Sequence, residues 1–301
     1  MPLQYHYKKH GITQSILTAF LKCRKYSELS LAGWQRKGPE SPALLFGSYF
    51  HELLARTYVK GKHPSKQFLV ELNKEVRKEW KLQKDELTLM ARMMLIQYFQ
   101  HWRNDFAKVE WTGIEQEFVH VHRGLPLRGK FDAVFKINNR LWLKESKTRS
   151  FVDERNLIES LNFDTQVMFY LFALWKITGK IPKGVIYDII RKPQLRKRTN
   201  ESVVEFIQRC RQDVKKRRRW YFLRFEVVIG REELESFEKE LDNILDEFTA
   251  WRNGKMPTIK NTTACFNRYG ACQFLGICSR GDFSNYEIRK EVHTELEKAE
   301  V

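Results

Sequence analysis

Two acidic residues at matched distances from a two-residue turn constrain this chain more than any other feature. Between Leu127 and Thr148 the sequence runs as two short stretches rich in aromatic and β-branched residues, Leu127 to Ile137 and Leu141 to Thr148, with Asn138-Asn139 near their junction. Asparagine tolerates the left-handed backbone that a two-residue hairpin turn requires. With the turn there, Ile137 pairs with Arg140 and the same register sets Asp132 opposite Glu145. Their Cβ atoms would lie about 5 Å apart on one face, where like charges destabilise a sheet. A positive group belongs between them. Lys147, two residues past Glu145, projects from the same face. Two carboxylates and an ammonium suit a hard divalent cation, which takes oxygen ligands. Such an ion polarises a phosphate and lowers the pKa of an attacking water, and a lysine beside it can orient or deprotonate that water. The plainer alternative is a solvated face of cross-strand ion pairs.

The hairpin sits inside a longer order of elements. Thr13 to Leu31 reads as one helix, Ala43 to Val59 as a second, and Ser65 to Phe106 as helical throughout, with Leu82, Leu87, Met90, Met94, Tyr98 and Trp102 at helical spacing. Ile114 to His122 reads as a strand ahead of the hairpin. Beyond it come a strongly apolar helix from Phe163 to Thr178, a buried strand from Gly184 to Ile190, a helix from Glu201 to Lys215 and a strand from Tyr221 to Ile229. A final amphipathic helix, Glu232 to Asn253, is stopped by Gly254. No repeat and no Gly/Ser- or Pro-rich linker divides the chain, so 1–301 is expected to form a single α/β unit with a mixed sheet flanked by helices. Its expected parts are a helical front over 1–110, a sheet core over 111–230, and a C-terminal helix with a cysteine group over 231–301.

Smaller groupings add candidates. Gly47 and His51 are four apart on one helix face, the glycine allowing close backbone approach and the imidazole a further ligand. Gln166 and Tyr170 share a face of the apolar helix, an amide and a phenol placed for hydrogen bonding to a substrate. Glu117, on the preceding strand, is a candidate outer acid. Cys23, Cys265, Cys272 and Cys278 make one early thiol and a late C-x6-C-x5-C group, the ligand set of an iron-sulfur cluster or a structural zinc. Asn267, Arg268, Tyr269 and Gly270 supply a turn-forming loop within it. Ordinary buried thiols are the alternative, and Cys210 reads as a core residue.

Charge narrows the partner. Lys and Arg total 54 against 37 Asp and Glu, a formal net charge of +17, and a field of that sign draws polyanions, nucleic acid first. Arg191-Lys192 with Arg196-Lys197-Arg198, and Lys215 to Arg219 followed by Trp220-Tyr221-Phe222, are basic clusters suited to sequence-independent phosphate contact. The aromatic run could stack unpaired bases or simply begin a core strand. Met1 to His10 lacks the apolar stretch of a signal peptide. The longest apolar run, Val167 to Trp175, falls short of the roughly 20 residues that span a bilayer. The expectation is a soluble, cytoplasmic protein with no membrane partner.

In this order, Gly47 to His51, Gly129 to Asp132, Glu145 to Lys147 and Gln166 to Tyr170 resemble the PD-(D/E)XK nuclease superfamily, in particular its RecB-like branch of phage recombination and CRISPR-adaptation exonucleases. The resemblance implies a restriction-endonuclease-like fold. His51, Asp132, Glu145 and the Ser146 carbonyl would be ligands of Mg²⁺ or Mn²⁺, Lys147 the residue acting on the nucleophilic water, and Gln166 and Tyr170 the pair holding DNA beside the metal. Cluster-bearing members place one cysteine early and three late, so Cys23, Cys265, Cys272 and Cys278 would carry a [4Fe-4S] cluster. The late spacing departs from their commonest C-x2-C-x5-C by a longer first gap, which leaves zinc open. The implied activity is that of a metal-dependent DNA exonuclease in bacterial or phage recombination, repair or replication, with a recombination or helicase partner. A structure-specific endonuclease with the same site, or a non-catalytic DNA-binding subunit, is the alternative.

Overall fold

The computed structural model describes residues 5–83, 85–107, 109–267 and 270–289. Arg268 and Tyr269 of the expected cysteine loop, and Met1 to Gln4, lie outside them. The first described elements are a one-turn helix, Tyr7–His10 (α1), and a two-residue strand, Ile12–Thr13 (β1), followed by Gln14–Lys22 (α2) and Arg24–Leu31 (α3). After a short strand, Trp34–Arg36 (β2), come Pro42–Val59 (α4), Lys66–Glu79 (α5) and Glu86–His101 (α6). Three long strands follow, Glu110–His122 (β3), Leu125–Ile137 (β4) and Arg140–Arg149 (β5). Next are Glu154–Leu161 (α7), Thr165–Thr178 (α8), Gly184–Arg191 (β6), Val203–Lys216 (α9), Arg218–Tyr221 (α10), Phe222–Val228 (β7) and Arg231–Arg252 (α11). Phe266–Asn267 (β8), Gly270–Ala271 (β9), Leu275–Arg280 (α12) and Tyr286–Ile288 (β10) are the last elements among the described residues.

The central sheet runs β1-β4-β5-β6-β7, with β3 on the other side of β4. Its pairings are mixed: β1 with β4 and β5 with β6 are parallel, the others antiparallel. A parallel β5–β6 pair needs a crossover, and α7 and α8 provide it. One face is covered by α2, α8 and α11, whose apolar residues meet Leu127, Phe131 and Leu143 of the sheet. On the other, α4, α5, α6 and α9 form a second core. The fold is thus a mixed α/β sheet flanked by helices, as the hairpin and the order of elements led us to expect.

Asn138 and Asn139 take positive φ values of 50° and 61°, and Ile137 pairs with Arg140. Two helical expectations need correction. The stretch from Thr13 to Leu31 is broken at Cys23, whose backbone is extended (φ −169°, ψ 118°). The stretch from Ser65 to Phe106 holds two helices, the second started by Asp85, whose side chain accepts from the Thr88 N–H. Pro42 and the Ser41 cap start α4. Asp164 caps α8 and Gly179 ends it in a left-handed turn. The helix holding Gln166 and Tyr170 is therefore fixed at both ends.

Candidate active site

The β4–β5 ladder ends at Ala133 with Lys144, one step short of the expected Asp132–Glu145 pair. Beyond that step Asp132 turns to the β5 backbone, and its Oδ2 accepts the Ser146 N–H at 2.8 Å. Helix α4 brings His51 to the same carboxylate, with Nδ1 3.6 Å from Asp132 Oδ2. The approach depends on Gly47. A Cβ there would stand 2.9 Å from Thr148 Oγ1 on β5, so glycine lets helix and strand close together. Burial holds the His51 imidazole below its ordinary pKa, against the pull of Asp132.

Glu115 completes this group. Ligand atoms of His51, Glu115 and Asp132 lie within 4.8 Å of one another. Glu115 stands opposite Asp132 because its neighbours Ile114 and Gln116 pair with Ala133 and Phe131. Burial raises its pKa, and Lys130 pairs with it. Glu117, the acid picked from the sequence, pairs in the ladder with Lys130 and is exposed. The missed signal is Arg123-Gly124: both residues have positive φ, and a two-residue turn there sets Glu115 against Asp132.

Glu145 lies in a second, adjoining group. Its Oε1 is 2.5 Å from Lys147 Nζ and accepts from Gln166 Nε2 at 2.8 Å. Lys147 Nζ also donates to Gln166 Oε1 at 3.0 Å. Strand β5 and the first turn of α8 thus lock carboxylate, ammonium and amide into a triangle. The Glu145 Oε2 is buried without a hydrogen-bond partner, and burial, with Asp132 adding repulsion, pushes the acid up to about 8. Burial pulls the Lys147 ammonium down, but Glu145 more than offsets it and its pKa is raised. An orphaned carboxylate oxygen in such a place fits a bound cation. Tyr170 is 6% exposed, its ring edge-on to Phe118 and Phe131 at 5.9 and 5.7 Å.

Cys23, Cys265, Cys272 and Cys278 all line one cavity of about 210 Å³ between the α2–α3 junction and α12. The break at Cys23 turns that thiol into it, and the Asn261 N–H points at its sulfur at 3.3 Å. Cys210 is wholly buried in the second core, where burial pushes its thiol up to about 11. The basic clusters divide. Arg191 is buried and donates to the Trp220 and Val152 carbonyls and to Glu154, whereas Arg196, Lys197, Arg198, Lys215 and Lys216 are exposed. Trp220 is flanked by the Arg191 and Arg217 guanidinium groups at 4.7 and 4.8 Å.

The family model of the PD-(D/E)XK nuclease superfamily matches residues 12–279. The chain belongs to that superfamily. The nuclease is also similar in fold to a solved structure from Eubacterium rectale, described as a "Putative exonuclease", with a TM-score of 0.51 and 14% identity over 86% of this chain and 90% of that one. No curated protein matches it. Among the described residues no helix is long and apolar enough to cross a membrane.

Proposed function

We propose that this nuclease is a divalent-metal-dependent exonuclease that hydrolyses phosphodiester bonds of DNA, of the RecB-like branch, working in phage or bacterial recombination, repair or replication. The observation that carries this reading is the meeting of His51, Glu115 and Asp132 with the Glu145–Lys147–Gln166 triangle, where Glu145 keeps a buried oxygen unpaired. A Mg²⁺ or Mn²⁺ ion held by His51, Asp132, Glu145 and the Ser146 carbonyl, with Glu115 beside them, would polarise the phosphate and lower the pKa of an attacking water. Lys147 orients that water and offsets negative charge as it builds. Gln166 keeps Lys147 and Glu145 in register, and with Tyr170 on the same helix face it holds the DNA strand beside the metal. Exposed lysines and arginines of the two clusters hold the strand through its phosphates.

The test is digestion of end-labelled single and double strands with Mg²⁺ or Mn²⁺. Mononucleotides or short oligomers released from ends are expected, and cutting of a closed circle would instead mean an endonuclease. Asp132→Ala and Lys147→Ala should lose cleavage by at least about a hundredfold and keep salt-sensitive DNA binding. Full activity in either variant would overturn the site.

The same proposal gives Cys23, Cys265, Cys272 and Cys278 a [4Fe-4S] cluster. Supporting it, all four line one cavity, and four thiols are the ligand set of such a cluster. Brown anaerobic protein with an absorbance shoulder near about 400 nm is expected; colourless protein with stoichiometric zinc would overturn the assignment.

A further inference from the structure

Arg128 lies on β4, four residues before Asp132, and side chains at even spacing share a strand face. It is 2% exposed, its Nε has no hydrogen-bond partner, and among the described residues no carboxylate pairs with its guanidinium. Burying a charge in this way is unfavourable unless an anion meets it. The backbone is shaped around the side chain. Gly11, at φ +85°, lies so close that a Cβ there would stand 2.6 Å from Arg128 Cδ.

The one-turn helix packed against this strand is basic. Helix α1 ends in Lys8, Lys9 and His10, with no acidic residue in its first turn. Lys8 and Lys9 are exposed. The His6 and His10 rings are 6.1 Å apart, and Arg252 stands over the Tyr5 ring at 5.5 Å while donating to the Tyr5 carbonyl. The His10 imidazole is held below its ordinary pKa by burial and then by Lys9, His6 and Arg128, with no acid opposing them. A buried guanidinium that no carboxylate answers is a site for an oxyanion, and the planar fork of arginine matches phosphate.

We propose that Arg128 binds a phosphate group of the nucleic-acid strand, with the exposed Lys8 and Lys9 of the adjoining helix α1 adding to the field that draws it. Four strand residues place it about 13 Å from Asp132, a few nucleotides from the bond to be cut. The site rests on the nuclease reading for the identity of its ligand, while the unpaired charge asks for an anion in any case. Held there, the strand is gripped at a second point along the same strand face, so Arg128 contributes to binding and register and not to the chemistry.

The test uses the full chain, Arg128→Gln, and a Lys8→Ala/Lys9→Ala double variant whose changes are both on the surface. Binding of a fluorescent single-stranded oligonucleotide is followed across a salt series without divalent metal, and hydrolysis of bis(4-nitrophenyl) phosphate is followed with Mn²⁺. Arg128→Gln is expected to bind the oligonucleotide about tenfold more weakly, with a salt slope reduced by about 0.7. The double variant should shift both in the same direction. Both should hydrolyse the small diester at the wild-type rate, because its single phosphate cannot sit at the cleavage site and at Arg128 together. Inorganic phosphate that raises the melting temperature of wild type but not of Arg128→Gln would show that the free anion suffices; a change seen only with the oligonucleotide would show that the strand is needed.

A folded Arg128→Gln protein with wild-type affinity and slope would overturn the proposal, as would a parallel loss of small-diester hydrolysis, which marks a structural role. If Arg128→Gln does not fold, an unchanged slope in the double variant overturns it instead. Wild-type protein that cleaves neither DNA nor the diester, yet shows the Arg128-dependent slope, would remove the nuclease reading and leave the anion site standing.

Discussion

Glu115 and Glu117 are two residues apart on one strand and differ in consequence. Glu115 shares a space of 4.8 Å with His51 and Asp132, and Glu117 faces solvent beside Lys130. Glu115→Gln is therefore expected to weaken Mn²⁺ binding about 10- to 100-fold, as loss of an outer ligand partner does, and Glu117→Gln to leave it unchanged. Isothermal titration of both variants decides this, and equal effects would mean that the group does not gather a metal. The two-asparagine turn and its Ile137–Arg140 pair were legible in the sequence, but the step beyond Ala133, where Asp132 leaves the ladder for the Ser146 N–H and does not face Glu145, was not. Glu115 would have been legible, had Arg123-Gly124 been read as the same kind of turn. Arg128 was not, because sequence shows a charge but not whether anything answers it.

At the scale of elements, α4 is held to β5 by the absence of a side chain. Gly47→Val would drive methyl groups into Thr148, where even a Cβ comes within 2.9 Å of the hydroxyl. Overpacking of this kind costs about 1–3 kcal/mol and lifts His51 away from Asp132. Denaturant melts should show that loss, and Mn²⁺ affinity should fall with it; a stable variant with normal affinity would mean that the helix does not set the ligand. Strands and long helices were readable because their apolar periods differ. The break at Cys23 was not. The apolar pattern continues through Phe20, Leu29 and Leu31, no glycine or proline marks the interruption, and what ends α2 is the demand of the C-terminal segment, where Lys25 donates its N–H to the Ile259 carbonyl.

Across the whole molecule, the front helices and the sheet are joined by a buried ionic network. Asp188 on β6 is 0% exposed. It accepts from Arg224 Nε at 2.5 Å and Tyr98 Oη at 2.5 Å, and pairs with Lys144. Arg224 also binds Asp105 at 2.7 Å. Burial works against the Asp188 carboxylate, but Arg224 and Lys144 overcome it and hold its pKa well below the ordinary 3.8. A depressed carboxyl stabilises the fold fully above its unfolded pKa and loses that contribution as pH falls through the folded value. Asp188→Asn should cost about 3–5 kcal/mol near neutral pH and flatten the acid limb of the stability curve below about pH 4. Urea melts across pH test this, and an unaltered acid limb would mean that another group sets it. Lys144, Asp188 and Arg224 lie on three separate strands, Tyr98 on α6 and Asp105 just beyond it, so no local spacing in the sequence joins them.

Lys144 and Glu145 are consecutive residues that leave β5 on opposite sides, one into the ionic network and the other into the triangle with Lys147 and Gln166. A mutational screen scored only by lost cleavage would therefore pool two unlike populations, proteins that cannot do the chemistry and proteins whose interior has come apart one residue away. Scoring abundance alongside turnover would separate them, and variants that stay soluble and inert would mark the working edge of the strand.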